Sequence, residues 1–402
     1  MKNITKKITK LSAVLTASIL SASLPLTAMA AQNSPDDNTY QPKDVQTVDY
    51  KKSLTPEFAY SAEKWASLRD NIMEYGELAD LVHEYNPTVI SNRSTYKDQK
   101  NKNLNDIYDD YMKDIDDIWD QADSADNDIT WASLRYSAGL LTKQADNNYE
   151  DADMEKIQYD QQEAKLVYQA QEMMVSLKQS AYNLENLQST KELLQKQYEA
   201  AQAQLSVGMA TQTDVLTALK RVQDQDSAIL TAQKSQENVH RNLCLMLGWS
   251  ADAQPEIKEV PQPDLSRIDT LDPNADAQTA IDNNYDVKYY TKKAGNLDSQ
   301  DLIESNQATL ANAKDTAVRS LKTQYNTVLT TRDALNAAKA QLQVAEANLN
   351  IAQAVGSQTS LQYQSTLNTY TAAKNDVNTK QLQLLLALEA YDWNVKGLTT
   401  SN

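Results

Sequence analysis

Cysteine is nearly absent from this sequence: Cys244 is the only one in 402 residues. That excludes an intrachain disulfide framework and leaves Cys244, set within a helix pattern, as a small core residue. Histidine occurs twice, as His83 and His240, in separate helical segments with no cysteine-rich or glycine-rich companion motif. No phosphate-binding glycine loop occurs, so the chain reads as a non-enzyme without cofactor or metal, its histidines lying on helix surfaces. Seven glycines and nine prolines are too few to punctuate a chain of this length often, while Ala, Gln, Leu, Asn and Lys fill the periodic segments. Long uninterrupted helices follow from that balance. A single phenylalanine and 41% apolar content argue against one large spherical core. Basic residues are also short, 38 Lys and Arg against 55 Asp and Glu for a net charge of −17, which makes nucleic acid and anionic membrane surfaces poor partners.

The one sustained apolar run lies at the start. Lys2, Lys6, Lys7 and Lys10 precede an apolar stretch from Leu11 to Leu24, and Ala28-Met29-Ala30 offers a small-residue cleavage site, so residues 1–30 read as a signal peptide. The alternative, an uncleaved anchor, asks more of the run, which is shorter than the roughly 20 residues a membrane span needs. Cleavage removes four lysines and no acid; 38 less four leaves 34 basic against 55 acidic side chains, a net of −21. No cysteine follows the site to carry a lipid. Residues 31–56 are polar and hold Pro35, Pro42 and Pro56, as expected of a flexible leader.

What the chain does have is an internal repeat. Val207-Gly208 recurs at Val355-Gly356, 148 residues later. After the first pair, Val215, Val222, Ile229 and Leu243 fall on one seven-residue ladder with Gln236 as its polar rung; after the second, Tyr363, Tyr370, Val377, Leu384 and Tyr391 fall on the matching one. Before the second pair, Leu321, Val328, Leu335, Leu342 and Leu349 keep the same spacing. A period of seven sustained over five rungs means helices wound about each other with a left-handed supercoil. Asn86-Pro87 and Asn284-Tyr285 open corresponding segments. From Asn86 to the first glycine is 122 residues and from Asn284 to the second is 72, so the first copy holds about fifty extra residues near 100–150. Run as continuous helix, the shorter segment would span about 108 Å.

The resulting division is a first helical repeat over 57–249 with an acidic insertion at about 100–150, a proline-containing linker over 250–274, and a second repeat over 275–398. The first helix is expected to start at Thr55-Pro56 and run toward Tyr85. The insertion holds ten aspartates between Asp106 and Asp128 and no glutamate; it lacks the central glycine and terminal glutamate of a calcium loop and reads as a solvated acidic face. Within it, Trp131 to Leu141 fits either a helix face or an alternating strand. The fold class is all-α, built from long antiparallel coiled-coil helical hairpins in two tandem repeats.

The stretch Gly208-Met209-Ala210-Thr211-Gln212-Thr213-Asp214-Val215-Leu216, the helix ending at Leu243-Cys244-Leu245-Met246-Leu247-Gly248, and the Asn86-Pro87 opening resemble TolC-like outer membrane efflux proteins. The resemblance spans roughly residues 57–395, close at the first tip and loose at the second. It implies a homotrimer whose hairpins enclose an export duct. Hairpin tips formed by Val207, Gly208, Thr211, Thr213, Asp214, Val215, Leu216, Val355 and Gly356 would meet a periplasmic-adaptor-type protein and an ABC or other pump. It also offers Asp214 as an acid at the duct entrance; the residue's own position is equally that of a helix N-terminal acid favoured by the dipole. Family members carry membrane strands in each repeat, whereas residues 287–317 show no pair of alternating strands, and two strands per chain would give a trimer fewer than the eight of the smallest single-chain barrels. Little or no β-barrel is therefore expected, and membrane association runs through partners rather than the chain's own span. The implied localisation is the cell envelope, at the outer membrane on the resemblance or at an extracytoplasmic surface without a barrel. A non-transport coiled-coil scaffold or spacer is the alternative function.

Overall fold

The computed structural model describes residues 60–355 and 360–400; the signal sequence, the leader and Gly356 lie outside the described residues. In chain order the elements are α1 (Ala62–Ser67), β1 (Ile72–Met73), a 3-10 turn (Tyr75–Glu77), α2 (Leu78–Tyr85), α3 (Pro87–Gln99), α4 (Leu104–Asp123), α5 (Asp128–Asp146), α6 (Ala152–Ser206) and α7 (Gln212–Met246). There follow β2 (Glu256–Ile257), α8 (Leu265–Ile268), α9 (Ala277–Asn283), α10 (Tyr285–Ala294), α11 (Gln300–Val355) and α12 (Leu361–Val395). The architecture is the long helical hairpin in two copies, α6 with α7 and α11 with α12. Among the described residues the only strands are β1 and β2, paired in parallel.

The seven-residue ladders form the hairpin seams. Val215 and Val222 are buried against α6, and Leu321, Val328, Leu335 and Leu349 on α11 are buried with Val377, Leu384 and Tyr391 on α12. Each buried aliphatic side chain contributes roughly 1.5–3 kcal/mol relative to exposure, so a seam of this length holds two helices together without a globular core.

The two hairpins meet through α6 and α12, on polar rungs. Gln171 accepts from Trp393 Nε1 at 2.8 Å, Asn375 Nδ2 donates to Asn186 Oδ1 at 2.9 Å, and Thr190 bonds Asn368. These pairs descend along one helix as they ascend the other, so the helices are antiparallel and both hairpin tips lie at one end. Because α7 packs on α6 and α11 on α12, the four helices stand in the order α7, α6, α12, α11.

A core closes the opposite, root end. Leu68, Met73, Leu78, Leu81, Val82 and Tyr85 pack on Val167, Met174 and Val175 of α6, Leu243 and Leu247 near the end of α7, and Leu382 and Leu385 of α12. The expected single helix from Pro56 to Tyr85 is broken here. Asp70 Oδ1 accepts from Ile72 N–H at 2.9 Å, and Asn71 adopts φ 59° with its amide oxygen holding Trp249 Nε1 at 3.0 Å. An Asp side chain bonded two residues on, followed by Asn in the left-handed region, turns the chain out of helix and into β1. The stretch 250–274 is likewise built into the root: Glu256 N–H donates to Asn71 O, Val260 and Ile268 are buried, and Arg267 forks onto the Asp392 carboxylate.

The continuous 72-residue helix expected after Asn284 is also interrupted, between Ala294 and Gln300. Asn296 turns the chain there, its amide donating to Tyr149 O and Asp151 Oδ2, both at 3.1 Å. The remaining helix, α11, has 56 residues and is about 84 Å long.

Residues 104–146 form a separate helical arm. Ile115 and Ile118 of α4 pack on Ala138, Leu141 and Ala145 of α5, so Trp131 to Leu141 is helix. Tertiary packing decided a pattern that the sequence left open.

Candidate functional site: the hairpin tips and the open helix edges

The first tip is a helix end, a turn and a helix start. Gly208, at φ 76°, ends α6: its N–H meets Leu205 O at 3.0 Å, and Met209 N–H meets Gln204 O at 2.8 Å, the paired bonds of a left-handed glycine cap. Thr211 then opens α7 with a reciprocal cap. Its hydroxyl oxygen accepts from Asp214 N–H at 3.2 Å, while the Asp214 carboxylate accepts from Thr211 N–H at 2.8 Å and from the Thr211 hydroxyl at 2.7 Å. The backbone N–H of Thr211 and then its hydroxyl hold the Asp214 carboxyl below the usual carboxylate range. The carboxylate is thereby engaged in the helix start.

The remaining tip residues divide by direction. Val215 is buried in the hairpin seam, whereas Val207, Met209, Thr213 and Leu216 face solvent. At the second tip Val355 is 85% exposed and Ser360 caps α12 by accepting from Tyr363 N–H at 3.1 Å. Between α11 and α12 near this tip runs a groove of about 500 Å³, lined among others by Asn348, Ile351, Ala352, Tyr363 and Thr366. Solvent-facing apolar residues thus lie at both tips of one end, with the groove beside the second.

Sequence reasoning did not single out the large apolar residues exposed on the outer helices away from the tips. Leu230 on α7, and Leu302, Val344 and Ile351 on α11, are exposed on the two outer helices of the four-helix wall. Helix α7 packs on α6, and α11 packs on α12 and, towards the root, on α9 and α10. The signal was present: Val344 and Ile351 are seven residues apart, a second ladder beside the buried one.

The histidines are placed by hydrogen-bond contacts and packing. His83 on α2 contacts Glu163 on α6 at 2.6 Å and Arg93 on α3 at 3.0 Å, which ties three helices at the root. His240 lies on α7 beside buried Cys244. No helix among the described residues is long and apolar enough to cross a membrane.

No model of a protein family matches this sequence, and no curated protein matches it. Solved structures do. A membrane protein from Pseudomonas aeruginosa matches over 80% of this chain and 90% of its own, with a TM-score of 0.52 and 13% sequence identity. The outer-membrane channel OprN matches over 94% and 99%, at 0.48 and 10%. The outer membrane protein VceC of Vibrio cholerae matches over 81% and 97%, at 0.45 and 12%. The likeness is one of fold: the chain has the TolC-like arrangement of long helical hairpins that the tip and the repeat suggest.

Proposed function

We propose that this protein is an export component of the TolC-like type, a helical conduit or docking subunit of a multicomponent efflux system. Three copies stand side by side, the α7 edge of one against the α11 edge of the next, so that twelve helices enclose a duct. The observation that carries this reading is the four-helix wall with two open, apolar edges; hiding them takes a neighbour on each side, and a closed ring supplies both with one interface. The exposed residues Val207, Leu216 and Val355 dock an adaptor-type protein that links the duct to an ABC or other pump. The mature chain is exported to the cell envelope and is held at a membrane through these partners.

One observation favours the second reading, a non-transport scaffold or spacer in the envelope. The arm 104–146 occupies the place in the repeat where TolC-like proteins carry membrane strands, and it is helical. Electron microscopy of the purified mature protein separates the readings: hollow cylinders support the conduit, and solid rods without a lumen support the spacer.

A further inference from the structure

We propose that α5 is the surface through which the arms of neighbouring copies pack on one another; this rests on the ring reading above. Helix α5 is apolar on two opposite faces. Ala138, Leu141 and Ala145 face α4, while Ile129, Tyr136 and Leu140 point away from it and are 84%, 69% and 50% exposed. Ile129, Tyr136 and Lys143 are seven residues apart, as are Ser133 and Leu140, so the outer face has the spacing of a short helix seam, apolar at Ile129, Tyr136 and Leu140 and polar at Ser133 and Lys143. Gly139 lies beside it, and a Cβ there would meet open space, which leaves room for a second helix to approach.

Charge selects the occupant. Residues 104–146 hold eleven aspartates against Lys113, Arg135 and Lys143, a net of −8, but the acids are concentrated on α4 and the turn after it. Helix α5 has Asp128 and Asp146 at its ends against Arg135 and Lys143, and is balanced. An anionic lipid surface is repelled by the arm as a whole, and a basic partner is drawn to α4, away from the apolar stripe. A second α5 meets neither obstacle: packing stripe on stripe buries the apolar residues and turns each acidic helix outward, where solvent and salt screen the repulsion.

The arm's position supplies the encounter. It is inserted between α3 and α6, at the end remote from the tips, so a ring brings the arms of all copies to one end and converts their pairing into an intramolecular event. The arm has seven buried residues, five of them in its core cluster, which is small for a free-standing hairpin.

The test uses the mature protein with Cys244→Ala, bearing either Tyr136→Cys on the α5 stripe or Asp116→Cys on the acidic face of α4. Each variant is treated with a short bis-maleimide and weighed in parallel by native mass spectrometry. The proposal expects trimers in both variants, with covalent dimers as the main product from position 136 and at least tenfold less from position 116. Trimers without cross-links at 136, or with equal cross-linking at both positions, overturn the arm contact and leave the ring intact. Monomers in both variants remove the ring, and the arm contact with it.

Discussion

A Cβ placed on Gly248 would stand 2.4 Å from the Cβ of Tyr85. The same approach recurs in the second repeat, where a Cβ on Gly397 would stand 2.1 Å from the carbonyl oxygen of Asn283. Tyr85 and Asn283 each precede the asparagine that caps the next helix, and those caps reach back to the same glycine-ended helices: Asn86 Nδ2 donates to Met246 O at 2.8 Å and Asn284 Nδ2 to Gly397 O at 3.2 Å. Each repeat is thus closed at its root by one clasp, an asparagine cap against a left-handed glycine, used twice.

The clasp yields an ordering of glycine substitutions. Gly248 and Gly397 have φ of 86° and 108° and no room, whereas Gly208 has φ of 76° and open space. Gly208→Ala should cost about 1–2 kcal/mol, the backbone penalty alone. Gly248→Ala and Gly397→Ala should each cost more than that, about 3 kcal/mol or above, because the backbone must also move. Urea unfolding of the three variants checks the order; equal losses would refute the clasp.

The cap at the first tip predicts a local effect. Thr211→Ala removes the hydroxyl that both accepts from Asp214 N–H and donates to its carboxylate. A loss of about 1 kcal/mol is expected, confined to the start of α7. Hydrogen exchange should speed up over residues 212–218 while the root core keeps its protection. Unchanged exchange at the tip would show that the cap is not what holds the turn.

Glu155, in the first turns of α6 at the base of the arm, gives a pH dependence. Burial and then the charge of Glu150 push its carboxyl up to about 7, with Asp151 adding to the rise and Lys102 opposing it. The folded state therefore binds this proton more tightly than the unfolded chain, whose value is 4.5. The stability it contributes is full below about pH 4.5 and is lost as pH rises through 7. Glu155→Gln, which keeps the uncharged form, should match the wild type at pH 4.5 and melt higher at pH 8. Parallel melting curves at both pH values would contradict the assignment.

The fold was legible where one pattern governed a long stretch. The ladder from Leu321 to Leu349 fixed a helix seam because a period of seven admits one geometry, and Val207-Gly208 marked a hairpin turn because a left-handed cap needs glycine. The break at Asn71 was not legible, since it depends on Trp249, 178 residues away, holding the Asn71 side chain. The turn at Asn296 was hidden for the same reason, its partners Tyr149 and Asp151 lying in the other repeat. At the tip, Thr211 and Asp214 could be placed from spacing alone, but their mutual bonds, which occupy the carboxylate, belong to three dimensions. The outer ladder of Val344 and Ile351 was visible in sequence and went unread because the neighbouring buried ladder accounted for the helix.

In the proposed ring, further copies of the chain cover the open edges of the four-helix wall. Native mass spectrometry of the mature protein, alone and with Leu230→Asp plus Val344→Asp on its two edges, tests this most directly. Three copies are expected for the wild type and one for the edge variant, with helical content unchanged by circular dichroism. A wild-type protein that remains a single copy at micromolar concentration, or an edge variant that still assembles, would contradict the ring.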